Sequence, residues 1–320
     1  MKFVAVDWGS TTLRAWLISE AGEILAQHSS DQGVFNLEAD AFENTLLNAC
    51  GKWLSDAPDT PIIMAGMIGS RSGWQETAYQ TCPVKAETLG VNLLALANTS
   101  KLNLFVIPGI KTDSPSGSAD VMRGEEVQII GALAALQVSS DSSALICLPG
   151  THSKWAQTRQ QEITNFSTFF TGEIYSLLGE FSSIGAIMNG DEFDEASFRE
   201  GLAYSRQAGG FLHHIFSVRA RLLADTWSDG SLSAYLSGIA IGHEFQGAKT
   251  LYPNESTLYL IGNSHLQALY QIAASEFSFK ANSLDAADAI IQGVMHIAQP
   301  YLKTQALNIQ ALNQVISNKP

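Results

Sequence analysis

The chain has 320 residues, of which 46% are hydrophobic and 15% are charged, and its formal net charge is -13. This composition is typical of a packed globular protein with roughly two domains, and it excludes a largely disordered chain. The negative charge argues against a nucleic-acid partner, which would need a basic surface, although a local cluster of donors can still bind a small anion.

The ends and the cysteines of the chain indicate a cytoplasmic protein. Met1 and Lys2 lead directly into a predicted strand, so we expect no secretory leader. No apolar run approaches the length of about 18 residues that a membrane span needs, so we expect no membrane partner. Cys50, Cys82 and Cys147 are too widely spaced for a zinc motif, and we interpret them as reduced thiols.

The first part of the chain alternates strands with helices. Apolar runs, helical stripes and turn residues predict, in order, strands at 3–6, 13–18 and 24–28, a helix at 37–54, a strand at 61–68, a helix at 86–98, a strand at 102–107, a loop at 112–119 and a helix at 124–136. The predicted order is therefore βββαβαβα.

The second part repeats this order. After a polar break at 137–143 we predict strands at 144–148, 154–159 and 162–168, helices from 172 to about 225, a helix at 231–249, a strand at 257–261, a helix from 265, a strand near 277–281 and a helix at 285–298. The break divides the chain into an N-terminal lobe of residues 1–138 and a C-terminal lobe of residues 139–320.

Two βββαβαβα lobes define the predicted fold class. It is α/β, with two ribonuclease-H-like lobes, a central cleft and a helical insertion at about 180–230, as in actin-like ATPases and sugar kinases. In that fold ATP lies in the cleft between the lobes. The chain has no GxxxxGK[ST] motif and no GxGxxG after a strand, which disfavours P-loop NTPases and Rossmann dehydrogenases.

Two glycine- and hydroxyl-rich turns carry the first functional prediction. Each follows the first strand of its lobe, and we expect each to bind phosphate through backbone N–H groups and hydroxyls. The residues concerned are Gly9, Ser10 and Thr11 in the first turn, and Gly150, Thr151, His152, Ser153 and Lys154 in the second. Asp7 precedes the first turn and suits Mg²⁺, directly or through water. The alternative for both segments is an ordinary hairpin turn.

A third glycine segment is expected beside the adenosine of ATP. Gly262 and Ser264 lie between a predicted strand and a helix, where the backbone can approach a ligand and free N–H groups begin a helix. Gly242, on the preceding helix, is assigned to the same nucleotide site. The alternatives are a helix N-cap near Ser264 and simple helix packing at Gly242.

Charged residues in three further segments are candidates for the chemistry. Arg123 and Glu125 stand at the start of the helix predicted from 124, where one carboxylate could accept the proton of an attacking hydroxyl while the arginine holds an anion. The alternative is helix capping by the acids. Arg71, in a polar loop, could hold a carboxylate or could be an ordinary surface charge. Glu173 begins another helix and either caps it or faces the cleft.

Several of these segments together resemble one enzyme family, the 2-dehydro-3-deoxygalactonokinases. The segments that carry the resemblance are Val6-Asp7-Trp8-Gly9-Ser10-Thr11, Leu13-Arg14-Ala15-Trp16, Met64-Ala65-Gly66-Met67-Ile68-Gly69-Ser70, Val121-Met122-Arg123-Gly124-Glu125-Glu126, Pro149-Gly150-Thr151-His152-Ser153-Lys154-Trp155 and Thr171-Gly172-Glu173. They run from residue 4 to about 173, with weaker agreement near Gly238–Gly242 and Gly262.

The resemblance implies ATP- and Mg²⁺-dependent phosphorylation of 2-dehydro-3-deoxy-D-galactonate at its C6 hydroxyl in galactonate catabolism. We favour Glu125 as the base over Glu126, Asp120 and Glu173, with Asp7 and Arg123 completing the catalytic set. The sugar acid is then expected beside residues mainly of the first lobe: Trp8, Gly66, Ser70, Arg71, Arg123 and Glu173. Two alternatives remain, a kinase of another sugar acid or hexose, and a non-catalytic sugar or nucleotide sensor. A homodimer is left open.

Overall fold

The computed structural model describes residues 2–55, 57–136, 143–185, 193–224 and 227–317, with side chains up to residue 302. Strands and helices alternate through both lobes. The strands are β1 (Phe3–Trp8), β2 (Leu13–Ile18), β3 (Ile24–Ser30), β4 (Ile62–Gly66), β5 (Gln80–Thr81), β6 (Leu94–Leu96), β7 (Leu104–Val106), β8 (Ile110–Asp113), β9 (Ala119–Met122), β10 (Ser143–Leu148), β11 (Ser153–Arg159), β12 (Glu162–Phe169), β13 (Thr257–Ile261) and β14 (Lys280–Leu284). The helices are α1 (Phe42–Cys50), α2 (Ala86–Val91), α3 (Glu125–Leu136), α4 (Thr171–Phe181), α5 (Glu195–Ser205), α6 (Gly210–Leu223), α7 (Asp229–Leu251), α8 (Ser264–Glu276) and α9 (Ala286–Ser317).

The two main sheets have equivalent topologies. The first has the order β3-β2-β1-β4-β7-β6, and the second has the order β12-β11-β10-β13-β14. In each, the first strand pairs with an antiparallel hairpin partner on one side and with a parallel strand on the other. The predicted duplicated α/β architecture is therefore confirmed.

Side chains alternate across β1, because successive residues of a strand point to opposite faces. Val4, Val6 and Trp8 pack into a core beneath α1. Phe3 and Ala5 face the other way, into a core that contains residues of both lobes. Asp7 shares their parity, so its carboxylate is directed to the side where the lobes meet.

Helices α3 and α9 lie at the junction of the two lobes. Gly131 of α3 lies against the backbone of Ala289, and Gly293 of α9 lies against the backbone of Val127, which brings the two helix axes close together. The C-terminal helix thus packs on the lobe that contains the N-terminus. The predicted boundary between residues 138 and 139 lies outside the described residues.

Three predicted elements differ from the structure. The segment 112–119, predicted as a loop, contributes to the β8–β9 hairpin, which forms a small sheet with β5. The helix predicted at 86–98 ends at Val91, and β6 follows because Leu94–Leu96 pairs with β7. The last helix, predicted to end at residue 298, continues through Pro300 to Ser317.

The helical insertion predicted at about 180–230 is present as helices α5 and α6 and the end of α4, which lie between β12 and α7. They share an apolar cluster with α7 that includes Val218, Leu232 and Tyr235. Among the described residues, no helix is both long enough and apolar enough to cross a membrane.

Candidate active site

A cavity of about 510 Å³ lies where the two lobes meet. Its walls come from both phosphate-type turns, from β4 and from the N-terminus of α3. The lining residues are Asp7, Gly9, Ser10, Thr12, Arg14, Gly66, Met67, Arg123, Gly124, Glu125, Gln128, Leu148, Pro149, Gly150, Thr151, His152, Ile261, Gly262, Asn263 and Ala286.

The first turn presents Asp7 together with a basic partner. Arg14 lies directly opposite Asp7 in the β1–β2 register, and its Nη2 donates a 2.6 Å hydrogen bond to Asp7 Oδ2. Burial raises the pKa of Asp7, and the Arg14 guanidinium opposes that rise. Gly9 and Ser10 line the cavity next to this pair, whereas Thr11 is exposed and lies outside the lining.

Two glycines bring Asp7 and the start of α3 close together. Gly66 and Gly124 have φ values of 93° and 109°, which favour glycine. A Cβ on Gly66 would lie 2.7 Å from the carbonyl oxygen of Trp8, and a Cβ on Gly124 would lie 3.2 Å from Gly66 Cα. The backbones after β1, after β4 and before α3 therefore converge at the floor of the cavity.

Glu125 stands at this convergence, in the first turn of α3. Burial raises the pKa of its carboxyl group, the nearby Lys154 ammonium lowers it, and the charge of Asp7 raises it further. Glu125 Oε2 also accepts a 3.1 Å hydrogen bond from the Arg123 backbone N–H. A carboxylate with a raised pKa beside a second acid is suited to accept a proton near neutral pH.

The competing acids of the same segment face elsewhere. Glu126 is fully buried, outside the cavity lining, and its Oε2 caps the helix by accepting a 2.7 Å hydrogen bond from the Gly124 N–H. Burial and the charge of Glu125 raise the pKa of Glu126 to about 8. Asp120 connects the lobes instead, because its carboxylate accepts 2.6 Å hydrogen bonds from the backbone N–H and the hydroxyl of Thr168. Of these three acids, the cavity contacts Glu125 alone.

The second turn divides into an open and a buried half. Gly150, Thr151 and His152 line the cavity. Ser153 is fully buried and is hydrogen-bonded to the Tyr270 hydroxyl at 2.9 Å. This placement corrects the prediction that Ser153 holds phosphate, because β11 has already begun at that residue.

The structure also corrects the prediction that Lys154 binds phosphate. Its Nζ donates 2.8 Å hydrogen bonds to the Val121 carbonyl and to Thr168 Oγ1, and its side chain is buried between β9 and β12. The ammonium is thus fixed between the lobes and does not line the cavity. Its effect on the site is electrostatic, through Glu125.

Glu173 and His152 form one pair at the rim of the cavity. The Glu173 carboxylate is hydrogen-bonded to His152 Nε2, and the His152 ring stacks on Phe170 at a centroid distance of 5.0 Å. Glu173 is not itself in the cavity lining. Glu173 therefore contacts the second turn at His152, and it is connected to the cavity only through that residue.

The guanidinium of Arg123 is held by hydrogen bonds through two of its nitrogens, while the third nitrogen, Nε, has no hydrogen-bond partner. Nη1 donates to the Thr77 hydroxyl, Nη2 donates to the Thr77 carbonyl at 2.9 Å, and the group lies 4.4 Å from the Tyr79 ring centroid. Its Nε is buried without a hydrogen-bond partner, and so is the hydroxyl oxygen of Ser70. Buried polar atoms normally have partners. Arg123 lines the cavity, so its Nε is available to a bound ligand, whereas Ser70, a predicted sugar contact, lies outside the lining.

Trp8 and Arg71, both predicted to contact the sugar acid, lie outside the cavity lining. Trp8 is fully buried, its Nε1 donates a 2.8 Å hydrogen bond to the Gln32 carbonyl, and its ring packs edge-on against Phe42. Arg71 lies on the surface with 87% of its side chain exposed, 3.2 Å from Glu76. Trp8 therefore belongs to the core of the first lobe, and Arg71 to its exterior.

The predicted adenosine segment is only partly at the cavity. Gly262 and Asn263 line it, while Ser264 begins α8 outside the lining, and Asn263 caps that helix by accepting a 2.9 Å hydrogen bond from Leu266 N–H. Gly242 is buried in α7 against Ser205 of α5. Its assignment to the nucleotide is corrected, because a side chain there would collide with the neighbouring helix.

One functional candidate was missed in the sequence. Arg14 lines the cavity, and its Nε is buried without a hydrogen-bond partner. The hairpin itself carries the signal that identifies it. A four-residue turn between Trp8 and Leu13 places the next pair, Asp7 and Arg14, directly opposite each other on one face.

The whole chain is similar to one family of enzymes. The family model described as 2-keto-3-deoxy-galactonokinase matches residues 7–297. The chain is 33% identical over 297 residues to a 2-dehydro-3-deoxygalactonokinase of Escherichia coli K12, covering 93% of this chain and 97% of the relative. A crystal structure from Sinorhizobium meliloti, described as a candidate 2-dehydro-3-deoxygalactonokinase, is 31% identical, with a TM-score of 0.86 over 93% of this chain and 99% of that one.

A more distant likeness shows the fold alone. An activator of 2-hydroxyisocaproyl-CoA dehydratase from Clostridium difficile, solved with bound ADPNP, is 11% identical with a TM-score of 0.51. It covers 96% of this chain and 97% of its own. This likeness supports the duplicated actin-like architecture described above.

Proposed function

The chain belongs to the 2-keto-3-deoxy-galactonokinase family, and we propose that its cleft transfers the γ-phosphoryl group of ATP to the C6 hydroxyl of 2-dehydro-3-deoxy-D-galactonate. The products are ADP and 2-dehydro-3-deoxy-6-phosphogalactonate. One observation carries the proposal. Two glycine turns from opposite lobes border one cavity whose floor holds Asp7 and Glu125.

The turns supply what a triphosphate requires. Gly9 and Ser10 come from one lobe, and Gly150 and Thr151 from the other. Apart from Gly150 and its two chain neighbours, no residue has an atom within 4 Å of the position that a Cβ on Gly150 would occupy, so the backbone there is open to the cleft. Backbone N–H groups and hydroxyls on both sides can therefore contact phosphate oxygens, with Gly262 bordering the nucleoside.

The donor chemistry at Asp7 fits Mg²⁺. The ion prefers oxygen ligands and is commonly held by one or two carboxylates, water and substrate phosphates. Asp7 Oδ2 is engaged by Arg14, and Oδ1 lies 3.6 Å from the position that a Cβ on Gly66 would occupy at the cavity floor. Bound there, Mg²⁺ would neutralise charge on the phosphates during transfer.

Glu125 acts as the general base in this proposal. Its carboxylate accepts the proton of the C6 hydroxyl while that oxygen forms a bond to the γ-phosphorus and the bond from γ-phosphorus to the ADP oxygen breaks. Phosphoryl transfer depends mainly on positioning and charge neutralisation, so one well-placed base is sufficient. Asp7, Glu125 and the two turns line the same cavity, so positioning, charge neutralisation and a base can be supplied together there.

Two donors that line the cavity support a sugar-acid substrate. Arg14 Nε and Arg123 Nε are buried without hydrogen-bond partners. A carboxylate and several hydroxyls would satisfy such groups, and charge-assisted bonds from arginine would bind the carboxylate despite the net charge of -13. We therefore place the substrate carboxylate toward Arg123 and the C6 hydroxyl toward Glu125, with Gly66 between them.

An ADP-release assay over a panel of sugar acids and hexoses tests the proposal. We expect ATP- and Mg²⁺-dependent ADP formation with 2-dehydro-3-deoxy-D-galactonate at a higher kcat/KM than with its gluco epimer or with hexoses. A higher value with another acid or hexose would make the chain a kinase of that compound. ATP binding without turnover of any compound would favour a sensor.

The proposal also bears on the cellular compartment and on the oligomeric state. A kinase of galactonate catabolism that draws on metabolic ATP belongs in the cytoplasm, and the free thiols of Cys50, Cys82 and Cys147 agree with that compartment. The possibility of a homodimer stays open, because none of the described residues that line the cleft requires a second subunit.

A further inference from the structure

A layer of buried polar side chains lies behind the second turn. Ser153, Glu244 and Tyr270 come from β11, α7 and α8, and their exposed fractions are 0%, 2% and 2%. Burying polar groups costs free energy unless they are hydrogen-bonded. None of the three lines the cavity assigned to ATP, so the reaction in the cleft leaves them without a direct part in it.

Their hydrogen bonds form one continuous chain. Glu244 Oε1 accepts a 2.7 Å hydrogen bond from Trp155 Nε1–H, and Glu244 Oε2 accepts a 2.7 Å hydrogen bond from the Tyr270 hydroxyl. The Tyr270 oxygen lies 2.9 Å from Ser153 Oγ, and Ser153 Oγ accepts from Gly150 N–H at 3.5 Å. The chain therefore leads from a carboxylate in α7 to the first N–H of the second turn.

The carboxylate sets the direction of these hydrogen bonds. A hydroxyl has a single hydrogen, and Tyr270 donates its hydrogen to Glu244. Tyr270 can then only accept from Ser153, so Ser153 donates to Tyr270 and its lone pairs remain available to Gly150 N–H. Every donor in the chain consequently points towards Glu244, as expected for a network that ends in a carboxylate.

The start of α4 holds the other side of the same turn. Glu173 N–H donates a 2.9 Å hydrogen bond to the Thr151 carbonyl, and Gly172 lies too close to the Gly150 carbonyl to leave room for a Cβ. Among the described residues, the N–H groups of Thr151 and His152 donate no backbone hydrogen bond. The supports thus occupy the carbonyls and the first N–H of the turn, and the next two N–H groups remain for an anion.

We propose that Glu244 is a positioning residue for ATP, which acts through Tyr270 and Ser153 to hold the second turn in the conformation that binds phosphate. Donors that are fixed before binding require no reorganisation when the ligand arrives. This role rests on the proposed function of the cleft, since it requires the second turn to bind the phosphates of ATP.

Two variants interrupt the chain, and the same lobe offers a matched control for each. Tyr270→Phe removes the central hydroxyl, and Ser153→Ala removes the acceptor of Gly150 N–H. The controls are Tyr252→Phe and Ser167→Ala, because the Tyr252 hydroxyl donates a 2.9 Å hydrogen bond to Ser167 Oγ and both residues are buried. Neither control residue lines the cavity. A general effect of losing a buried Ser–Tyr hydrogen bond is therefore common to both pairs.

Glu244→Gln tests the direction of the hydrogen bonds with little change in shape. Because the Trp155 indole can only donate, the amide oxygen of the glutamine must face it, and the amide NH₂ then faces Tyr270. The Tyr270 hydroxyl must now donate to Ser153, which reverses that hydrogen bond. We expect the affinity for ATP to fall as it does in Tyr270→Phe.

Isothermal titration calorimetry with ATP and Mg²⁺ measures the effect. We expect Tyr270→Phe and Ser153→Ala each to raise the Kd for ATP about three- to tenfold, as for the loss of a hydrogen bond. The double variant should show no larger rise than the larger single one, because both changes interrupt the same chain. Tyr252→Phe and Ser167→Ala should leave the Kd unchanged.

Steady-state kinetics separate positioning from general damage to the second lobe. In Tyr270→Phe the KM for ATP should rise, while the KM for 2-dehydro-3-deoxy-D-galactonate stays the same, because that substrate is placed beside the first lobe. Ser153→Ala removes only one oxygen atom and provides the same comparison if Tyr270→Phe does not fold.

The outcomes distinguish this inference from the proposed function. If the unaltered protein does not bind ATP, the proposed function is wrong and the positioning role is wrong with it. If the unaltered protein binds ATP, three results would each overturn the positioning role alone: equal Kd values for the Tyr270 and Tyr252 variants, additive effects in the double variant, or an unchanged Kd in Glu244→Gln.

Discussion

Arg14 donates a 2.6 Å hydrogen bond to the carboxylate of Asp7, its direct cross-strand neighbour, at the floor of the cleft. The contact opposes the effect of burial, which raises the pKa of Asp7. An ionised Asp7 is the form that can hold Mg²⁺. In the proposed mechanism Arg14 is therefore a positioning residue, which would act on Mg²⁺ through Asp7.

Replacement of Arg14 should weaken the use of Mg²⁺ in a pH-dependent manner. In Arg14→Gln the two interactions that lower the pKa of Asp7 are lost, so its pKa rises further and protons compete with the metal. We expect the Mg²⁺ concentration for half-maximal activity to rise severalfold at pH 6 and less at pH 8, because protons compete with the metal for Asp7 most strongly at the lower pH. ADP-release assays across a Mg²⁺ series measure it.

Arg14→Lys is the control for this experiment, because it retains a positive charge near Asp7. Its Mg²⁺ requirement should lie between those of the unaltered protein and Arg14→Gln. An equal Mg²⁺ requirement at both pH values in Arg14→Gln would show that Arg14 does not act through the ionisation of Asp7.

The two adjacent glutamates of α3 provide a matched pair of variants. Glu125→Gln should lower kcat by about 10²–10⁴, the usual contribution of a general base, with the KM for ATP nearly unchanged. Glu126→Gln should keep kcat within about threefold of the unaltered value, because Glu126 caps the helix outside the cavity and general-base loss costs far more. A loss below tenfold in Glu125→Gln would remove Glu125 from the role of base.

Strand periodicity explains which site residues the sequence predicted and which it misplaced. Asp7 and Trp8 are neighbours in the chain, but they point to opposite faces of β1, so only one of them can face the cleft. The apolar positions Val4 and Val6 share the parity of Trp8 and already indicate that its ring belongs to the core. The same alternation places Lys154 between the lobes and sends the side chain of Trp155 into the core of the second lobe.

Other features depend on contacts that are distant in sequence. The order of the main strands and helices, and the two turns, follow from local patterns, and the structure confirms that order except for β5, β6 and the β8–β9 hairpin, which local patterns do not predict. The contact between Arg123 and Thr77 spans 46 residues, and the α7 helix meets α5 at Gly242 and Ser205. Local patterns do not indicate such packing, which is why the sequence alone suggests a nucleotide contact for Gly242.

Arg123 should determine affinity for the acid group of the substrate. Its buried Nε has no partner, and Arg123→Lys removes that donor while retaining the charge. We expect the KM for 2-dehydro-3-deoxy-D-galactonate to rise about 10- to 100-fold, as for the loss of a charge-assisted hydrogen bond, while the KM for ATP stays the same. Steady-state kinetics with each substrate varied in turn measure both values.

Arg71→Ala is the matched control for Arg123→Lys, since Arg71 carries the same charge on the exposed surface of the same lobe. Both KM values should remain unchanged in this variant. A rise in the KM for the sugar acid in Arg71→Ala, or an equal rise of both KM values in Arg123→Lys, would contradict a specific carboxylate site at Arg123.

Lys154 should set the acid side of the pH profile. Its ammonium lowers the pKa of Glu125, and the base must be ionised, so activity is lost as the pH falls through that pKa. In Lys154→Met the fall of kcat on the acidic side of its pH profile, which we call the acid limb, should therefore occur at a higher pH. Thr168→Val, which removes an acceptor of Lys154 without changing charge, should leave the limb in place. An unchanged limb in Lys154→Met would exclude this electrostatic role.

Glu126 should make the stability of the protein depend on pH. Burial raises its pKa in the folded protein from 4.5 to about 8, so between these values the unfolded chain has released a proton that the folded chain still holds. The free energy of unfolding therefore falls as the pH rises through this window. Glu126→Gln removes the titrating group and keeps an oxygen that can accept from Gly124 N–H, so the variant should show a shallower fall between pH 5 and pH 8. Urea unfolding at several pH values measures the difference, and parallel curves for the two proteins would mean that Glu126 is ionised in the folded state.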